Sequence, residues 1–491
     1  MKYVLAIDAG TTGITVLLVD AEGAFFRKTY QEFAQHFPKP GWVEHDPEEI
    51  WKAVQITLNK ALEGIGSAAI VAIGITNQRE TTVVWERHTL RPVHNAIVWQ
   101  CRRSADICTE LKAKGLEETV RAKTGLVLDA YFSGTKLTWL LRERPELRTR
   151  AEAGELAFGT IDTWLIAKLT GGVSHVTDYS NASRTLMFNI HDLNWDPALL
   201  AALEVPAALL PDVKPSSHRF GVTAPAQFGG REVPISGVAG DQQAALFGQA
   251  CFEPGMSKNT YGTGSFVLTN TGDAHPVSQS GLLTSIAWGI DGRVDYALEG
   301  SIFVTGAAIQ WLRDGLGIIS DASEIGPLAS SVEDTGGVTF VPALVGLGAP
   351  HWDPHARGLI TGITRGTSAA HIARATVEAM AYQTKDVVDA MINDSGVPLT
   401  ELRVDGGASV MDVLCQFQAD MLGVPVARPR IQETTAMGAA YLAGITEGFW
   451  SGTDVVASQW KLDRLFEPKM SEDRRATLYD GWQKAVAKAR L

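Results

Sequence analysis

The stretch Ile235-Ser236-Gly237-Val238-Ala239-Gly240-Asp241-Gln242-Gln243-Ala244-Ala245-Leu246-Phe247 joins a short apolar run to an Ala-rich segment with helical spacing. It reads as a strand that delivers the Asp241 carboxylate and the amides of Gln242 and Gln243 to the mouth of a helix. In open α/β sheets, ligands gather just outside the carboxyl ends of strands. Asp241 is therefore expected to meet a small hydroxylated substrate and accept its proton. The competing reading makes Asp241 only the cap of the following helix, a place where Asp is favoured.

A second pattern lies at the start of the chain. Val4–Ile7 and Ile14–Val19 are apolar runs flanking Asp8-Ala9-Gly10-Thr11-Thr12-Gly13, so strand, Gly/Thr turn and strand form a hairpin rather than a strand-to-helix phosphate loop. Gly10 and Gly13 let a ligand approach the backbone, Thr11 and Thr12 offer hydroxyl donors to phosphate oxygens, and Asp8 can hold Mg²⁺ through water. An ordinary hairpin turn would also use Gly and Thr. The pattern returns at Lys258–Asn270 around Tyr261-Gly262-Thr263-Gly264-Ser265, which suggests a duplicated core with one phosphate-facing hairpin per half.

Between these landmarks, Asp46-Pro47-Glu48-Glu49 opens a helix through Ile50–Leu62, with Asp as cap and Pro in the first turn. Ile70–Ile75 is a buried strand ending in Thr76-Asn77-Gln78-Arg79-Glu80, where an Arg and a Glu present a donor and an acceptor together. A helix is expected from the Tyr131 region to about Ala151, and Pro206–Phe228 reads as a Pro/Ser-rich connector. Farther on, Val304–Leu312 and His371–Met391 read as helices, and Leu402–Ala408 as a strand ending in a Gly-Gly turn.

At 491 residues the chain exceeds what one growing core accommodates, so two domains are expected. Hydrophobic residues make up 45% and charged residues 20%, an ordinary globular mixture. A net charge of −12 without a basic stripe argues against a nucleic-acid surface, yet leaves room for a phosphorylated ligand whose charge Mg²⁺ offsets. The four cysteines form no CxxC pair, which fits a reducing compartment. No apolar run reaches the roughly 18 residues of a membrane span, and the N-terminal run is too short for a signal peptide. A cytoplasmic protein is expected.

Two longer motifs resemble signatures of the FGGY family of carbohydrate kinases: Tyr131-x-Ser133-x-x-Lys136-Leu137-x-Trp139-Leu140, and Gly358-x-Ile360-x-Gly362-Ile363 followed after seven residues by His371-Ile372-x-x-Ala375-Thr376-Val377-Glu378. Within the family, members acting on glycerol are most similar, through Pro38–Pro47, Gly74–Thr82, Ala96–Arg103 and Gly240–Gln249. The resemblance runs from about residue 3 to about 487. It implies an α/β fold of two duplicated actin-like (ribonuclease H-like) domains with a central ligand cleft, roughly 1–249 and 250–491. The implied activity is transfer of a phosphoryl group from ATP, with Mg²⁺, to glycerol, and relatives imply a homodimer or homotetramer.

The resemblance also implies roles. Arg79, Glu80, Tyr131, Asp241 and Gln242 match residues that hydrogen-bond glycerol, and Trp99 and Phe266 match the aromatic walls against its carbons. Asp241 matches the catalytic base, and Asp8, with Asp241, the carboxylates near the metal. Thr11, Thr12, Gly13, Thr263, Gly264, Gly306, Gln310, Gly407 and Met411 fall at nucleotide contacts. The chemistry agrees, because a buried triol needs donors and acceptors at each hydroxyl.

Several positions depart from the pattern. Where glycerol-active members have Gln-Gly-Thr-Thr-Ser-Ser-Arg, this chain has Ala9-Gly10-Thr11-Thr12-Gly13-Ile14-Thr15, losing a hydroxyl at Gly13 and a guanidinium at Thr15. Met411 stands where an Asn touches the base. Glu232 and Gln227 replace the Arg and His through which members respond to a sugar bisphosphate or a phosphocarrier, so neither control is expected. Two alternatives remain: a kinase for another polyol or a ketopentose, and a catalytically inactive nucleotide-gated scaffold, against which the presence of Asp8 and Asp241 argues.

Overall fold

A computed structural model describes residues 1–228, 230 and 232–491. The chain divides into two compact units. The first comprises Met1–Ala250, Thr284–Tyr296 and Glu433–Trp460, and the second Cys251–Leu283, Ala297–Gln432 and Lys461–Leu491.

The first unit is organised on a six-stranded sheet. Its strands are β1 (Tyr3–Ala9), β2 (Gly13–Val19), β3 (Phe25–Glu32), β4 (Ile70–Asn77), β5 (Ser217–Val222) and β6 (Pro234–Gly240), in the order β5-β6-β4-β1-β2-β3. β1 pairs antiparallel with β2 and parallel with β4, and β6 is parallel to β4. The carboxyl ends of β1, β4 and β6 therefore share one edge, carrying Asp8, the Arg79–Glu80 segment and Asp241. One face packs on the helix Pro47–Leu62, whose cap Asp46 accepts the Glu48 amide at 2.8 Å. The other face packs on the helix Thr434–Thr446. There the approach is backbone to backbone: a Cβ on Gly74 would lie 2.1 Å from the Ala439 carbonyl oxygen, and one on Gly237 2.3 Å from the Ala443 nitrogen.

The second unit repeats this plan. Strands β7 (Met256–Tyr261), β8 (Ser265–Gly272), β9 (Glu401–Asp405), β10 (Val426–Pro429) and β11 (Leu462–Phe466) lie in the order β8-β7-β9-β10-β11. Here β7 pairs antiparallel with β8 and parallel with β9, as β1 does with β2 and β4. The expected duplication is thus visible as repeated topology.

Three local expectations are corrected. The connector contains an edge strand, β5, paired antiparallel with β6; its mostly solvent-facing residues carry no apolar run to announce it. The helix expected to reach Ala151 breaks at Arg144 into Ser133–Glu143 and Pro145–Glu152, because Pro145 lacks an amide hydrogen and drives its predecessor out of helical geometry. Asp241 is not a cap: Gly240 holds that position, and Asp241 is the first residue of the helix Asp241–Gly248.

Candidate functional site

At the edge of the first sheet, Arg79 links the polar residues expected around a polyol. It is buried, and its Nε lies 3.2 Å from Asp241 Oδ1 and 3.7 Å from Glu80 Oε1. Its Nη1 donates to Gln243 Oε1 at 3.2 Å and its Nη2 to the Tyr131 hydroxyl at 3.5 Å. The stem of Arg79 lies against Gly240, where an added Cβ would come within 2.7 Å of it, so the glycine before Asp241 makes room for the guanidinium. Asp241 Oδ1 also accepts the Gln242 amide at 2.7 Å, which fixes the plane of the carboxylate. Asp241 is partly exposed and Gln242 nearly buried, so the carboxylate faces the solvent-accessible side.

Aromatic rings join this polar group to the first hairpin. Trp99 meets Tyr131 edge to face at 5.6 Å, and its Nε1 donates to Thr11 Oγ1 at 3.0 Å. The Gly10–Gly13 turn closes through the Gly10 amide to the Gly13 carbonyl at 3.0 Å. Thr12 at its tip is exposed. Asp8 stands at the base of the turn. Burial, then the charges of Asp241 and Glu433, push its carboxyl from 3.8 up to about 7, with Lys28 opposing. Asp8 and Asp241 are therefore close enough to feel each other's charge.

Gln35, His45, Gln78 and Arg184 support the site, a role that no sequence signal assigns them. The carbonyls of Gly10 and Thr11 accept the side-chain amides of Gln78 and Gln35 at 3.1 and 2.6 Å, and His45 lies between these two amides, at 3.3 and 3.0 Å. Burial holds the His45 imidazole down at about 4, so it is neutral. Glu80 is held by Arg184, fully buried, whose Nη1 donates to Ser285 Oγ at 2.8 Å. Glu80 has φ of 60°, a left-handed conformation uncommon outside glycine. Its carbonyl accepts the Ser133 and Thr82 hydroxyls at 2.9 and 3.2 Å. Lys136 is buried and donates to the carbonyls of Tyr131 and, at 3.1 Å, Phe132. The motif Tyr131-x-Ser133-x-x-Lys136 thus holds the Glu80 and Tyr131 backbones in place.

In the second unit, the Gly262–Gly264 turn receives the start of the helix Gly306–Asp314. The amides of Thr305 and Ala307 donate to the Thr263 carbonyl, and that of Gly306 to the Gly262 carbonyl, all at 3.0 Å. A Cβ on Gly264 would lie 2.3 Å from the Ile302 carbonyl, and one on Gly306 2.5 Å from that of Gly262. Thr263, Gln310 and Gly407 are exposed, and Phe266 is half-buried. Gly407 has open space around it, whereas the close approach falls on Gly406, with φ of 84° and a would-be Cβ 2.4 Å from the Tyr261 carbonyl. Met411 is buried in the second core beside Gly326.

Comparison with known proteins gives a consistent result. The N-terminal domain of the FGGY family of carbohydrate kinases matches residues 3–248, and the C-terminal domain residues 257–447. Over 491 residues the chain is 61% identical to Glycerol kinase of Carboxydothermus hydrogenoformans, covering 100% of this chain and 98% of that protein. It is also 61% identical to Glycerol kinase 2 of Thermotoga maritima, covering 100% and 99%. The crystal structure of Plasmodium falciparum glycerol kinase with ADP superposes with a TM-score of 0.95 at 37% identity, covering 100% of this chain and 99% of that one.

Proposed function

Because the chain belongs to the FGGY family of carbohydrate kinases, whose two domains it carries in the duplicated actin-like fold, we propose that it phosphorylates glycerol with ATP to give sn-glycerol 3-phosphate. The observation that carries this reading is the buried guanidinium of Arg79 joining Glu80 with the partly exposed Asp241 and Tyr131 in one polar group. Such a set offers donors and an acceptor to adjacent hydroxyls, as a small polyol requires.

In this reading Arg79, Glu80, Tyr131 and Gln242 hold the hydroxyls, and Trp99 and Phe266 face the carbons. Asp241 accepts the proton of the attacking primary hydroxyl. That oxygen bonds to the γ-phosphorus as the bond to the β–γ bridging oxygen breaks, and ADP leaves. Phosphoryl transfer depends mostly on positioning and charge stabilisation. Arg79 Nε and the Gln242 amide, both on Oδ1, keep the carboxylate from turning. Thr11, Thr12 and Gly13 take phosphate oxygens in the half spanning 1–249. Thr263, Gly264, Gly306, Gln310, Gly407 and Met411 serve the nucleotide from the half spanning 250–491.

Mg²⁺ fits the donors present. Asp8 and Asp241 stand at the same edge of the first sheet, and the charge of Asp241 acts on the Asp8 carboxyl. That suits an ion held by one or two carboxylates with phosphate oxygens and water. When bound it would neutralise charge on the transferring group, with Asp8 and Asp241 as its protein partners. No helix among the described residues is long and apolar enough to cross a membrane, in keeping with a cytoplasmic enzyme. We expect a homodimer or homotetramer, measurable by light scattering.

The deciding experiment is kcat/KM with ATP across glycerol, other polyols and ketopentoses, read as ADP release. Glycerol is expected to rank first. Preference for a ketopentose would overturn the substrate, and no polyol-dependent ADP would overturn the activity.

A further inference from the structure

Resting on the ATP-dependent reading above, we propose that Lys28 is a nucleotide-phosphate contact, leaving Glu433 to bind the phosphates beside the Gly10–Gly13 turn. The register across three strands puts it on the face of Asp8, one row deeper in the sheet than Asp8 and two rows from Gly13. Asp8 pairs with Thr15 and Thr15 with Tyr30, while in a neighbouring row Ala6 pairs with Leu17 and Leu17 with Lys28. Paired residues of adjacent antiparallel strands point to one face, and Lys28 stands two strands across and one row along from Asp8, a backbone separation of about 12 Å. Lys28 and Asp8 therefore share a face, and the charge of Lys28 acts on the Asp8 carboxyl.

That face has no other cation on β1, β2 or β3. β2 offers it Gly13, Thr15 and Leu17. Arg27 points the opposite way, its Nη1 donating to the carbonyls of Lys60, Ala61 and Glu63 at 3.3, 2.9 and 2.7 Å. Tyr30 fills the space beside Gly13, where an added Cβ would sit 2.6 Å from the tyrosine hydroxyl. The third strand thus supplies an aromatic ring and a cation where the second strand offers a bare glycine and a threonine.

The partner of Lys28 suits exchange. Its ammonium pairs with the Glu433 carboxylate, and the two side chains are 41% and 32% exposed. Exposed pairs of this kind contribute little, so an incoming triphosphate, with several negative oxygens, displaces the single carboxylate.

The test measures Kd for ATP by calorimetry, KM for ATP and glycerol, and Tm, on wild type and variants. Lys28→Met is expected to weaken ATP about tenfold or more, as loss of a charge-assisted contact does, with glycerol KM within about twofold. Lys28→Arg should retain ATP affinity, and adding Thr15→Arg to Lys28→Met should recover part of it. Glu433→Gln should leave ATP affinity unchanged or tighter. An unchanged ATP Kd in Lys28→Met overturns the proposal. So does equal weakening in Glu433→Gln, which would make the pair a structural tether. Absence of glycerol-dependent ADP in wild type would sink the activity reading alone, since ATP calorimetry judges Lys28 independently.

Discussion

Arg184 Nε donates to Glu80 Oε1 at 2.6 Å, with both side chains withdrawn from solvent. Arg184 is thus a positioning residue: it fixes the rotamer and charge of a carboxylate that the proposed polyol must meet. Removing one partner of a buried pair strands the other charge, at about 3–5 kcal/mol. Arg184→Met should lower stability by that order and raise glycerol Kd at least tenfold, while ATP Kd changes little. Denaturant melts and the two titrations on one preparation check this.

Asp241→Asn should lower kcat at least ~10²-fold, because the amide cannot accept the hydroxyl proton. Asp241 stands inside the helix rather than at its cap, so Tm should move little. Single-turnover rates with glycerol Kd separate catalysis from binding, and near-normal kcat would remove the base from this position.

Asp8 sets a pH dependence. Its folded value of about 7 lies above the ordinary 3.8, so folding takes up a proton there. Its contribution to stability therefore falls as pH rises between these values and levels off above about 7. Asp8→Asn stays neutral throughout. Tm measured against pH should show the variant gaining on wild type from pH 4 to 7 and holding a constant lead above that. A flat difference would place Asp8 in an ordinary solvated setting.

Glycines beside backbone and glycines in open space should behave differently. Gly74→Ala drives a methyl against the Ala439 carbonyl and should cost about 2–3 kcal/mol or more. Gly407→Ala meets nothing within 4 Å and should leave Tm unchanged within about a degree. Thermal melts of the pair test the packing directly.

Much of this arrangement was legible in the chain because local chemistry and tertiary role coincide. Alternating and continuous apolar runs marked β1, β2, β4 and β6, and turn glycines marked where they end. Asp46-Pro47 announced its helix as both cap and first turn. What stayed hidden depends on partners distant in sequence. Arg184 carries no signal until Glu80 is beside it, 104 residues away in the chain. Gln35 and Gln78 brace a turn through their side-chain amides, with the His45 imidazole between them, and no periodicity reports that. β5 escaped notice because an edge strand with exposed residues lacks the apolar pattern by which strands are read. Lys28 carries no signal in the sequence; only the register across β1, β2 and β3 puts it on the face of Asp8.

The helix Thr434–Thr446 bears on how the molecule is made. It lies against the first sheet, at Gly74 and Gly237, yet almost two hundred residues separate it from Gly240 at the end of β6. During synthesis, β1 to β6 leave the ribosome with one face of their sheet uncovered and remain so until the chain has passed Thr446. A truncation near residue 250 would keep that face bare, a hydrophobic surface open to aggregation rather than a smaller working domain. The first half, though translated first, is thus completed only after most of the second half has been made.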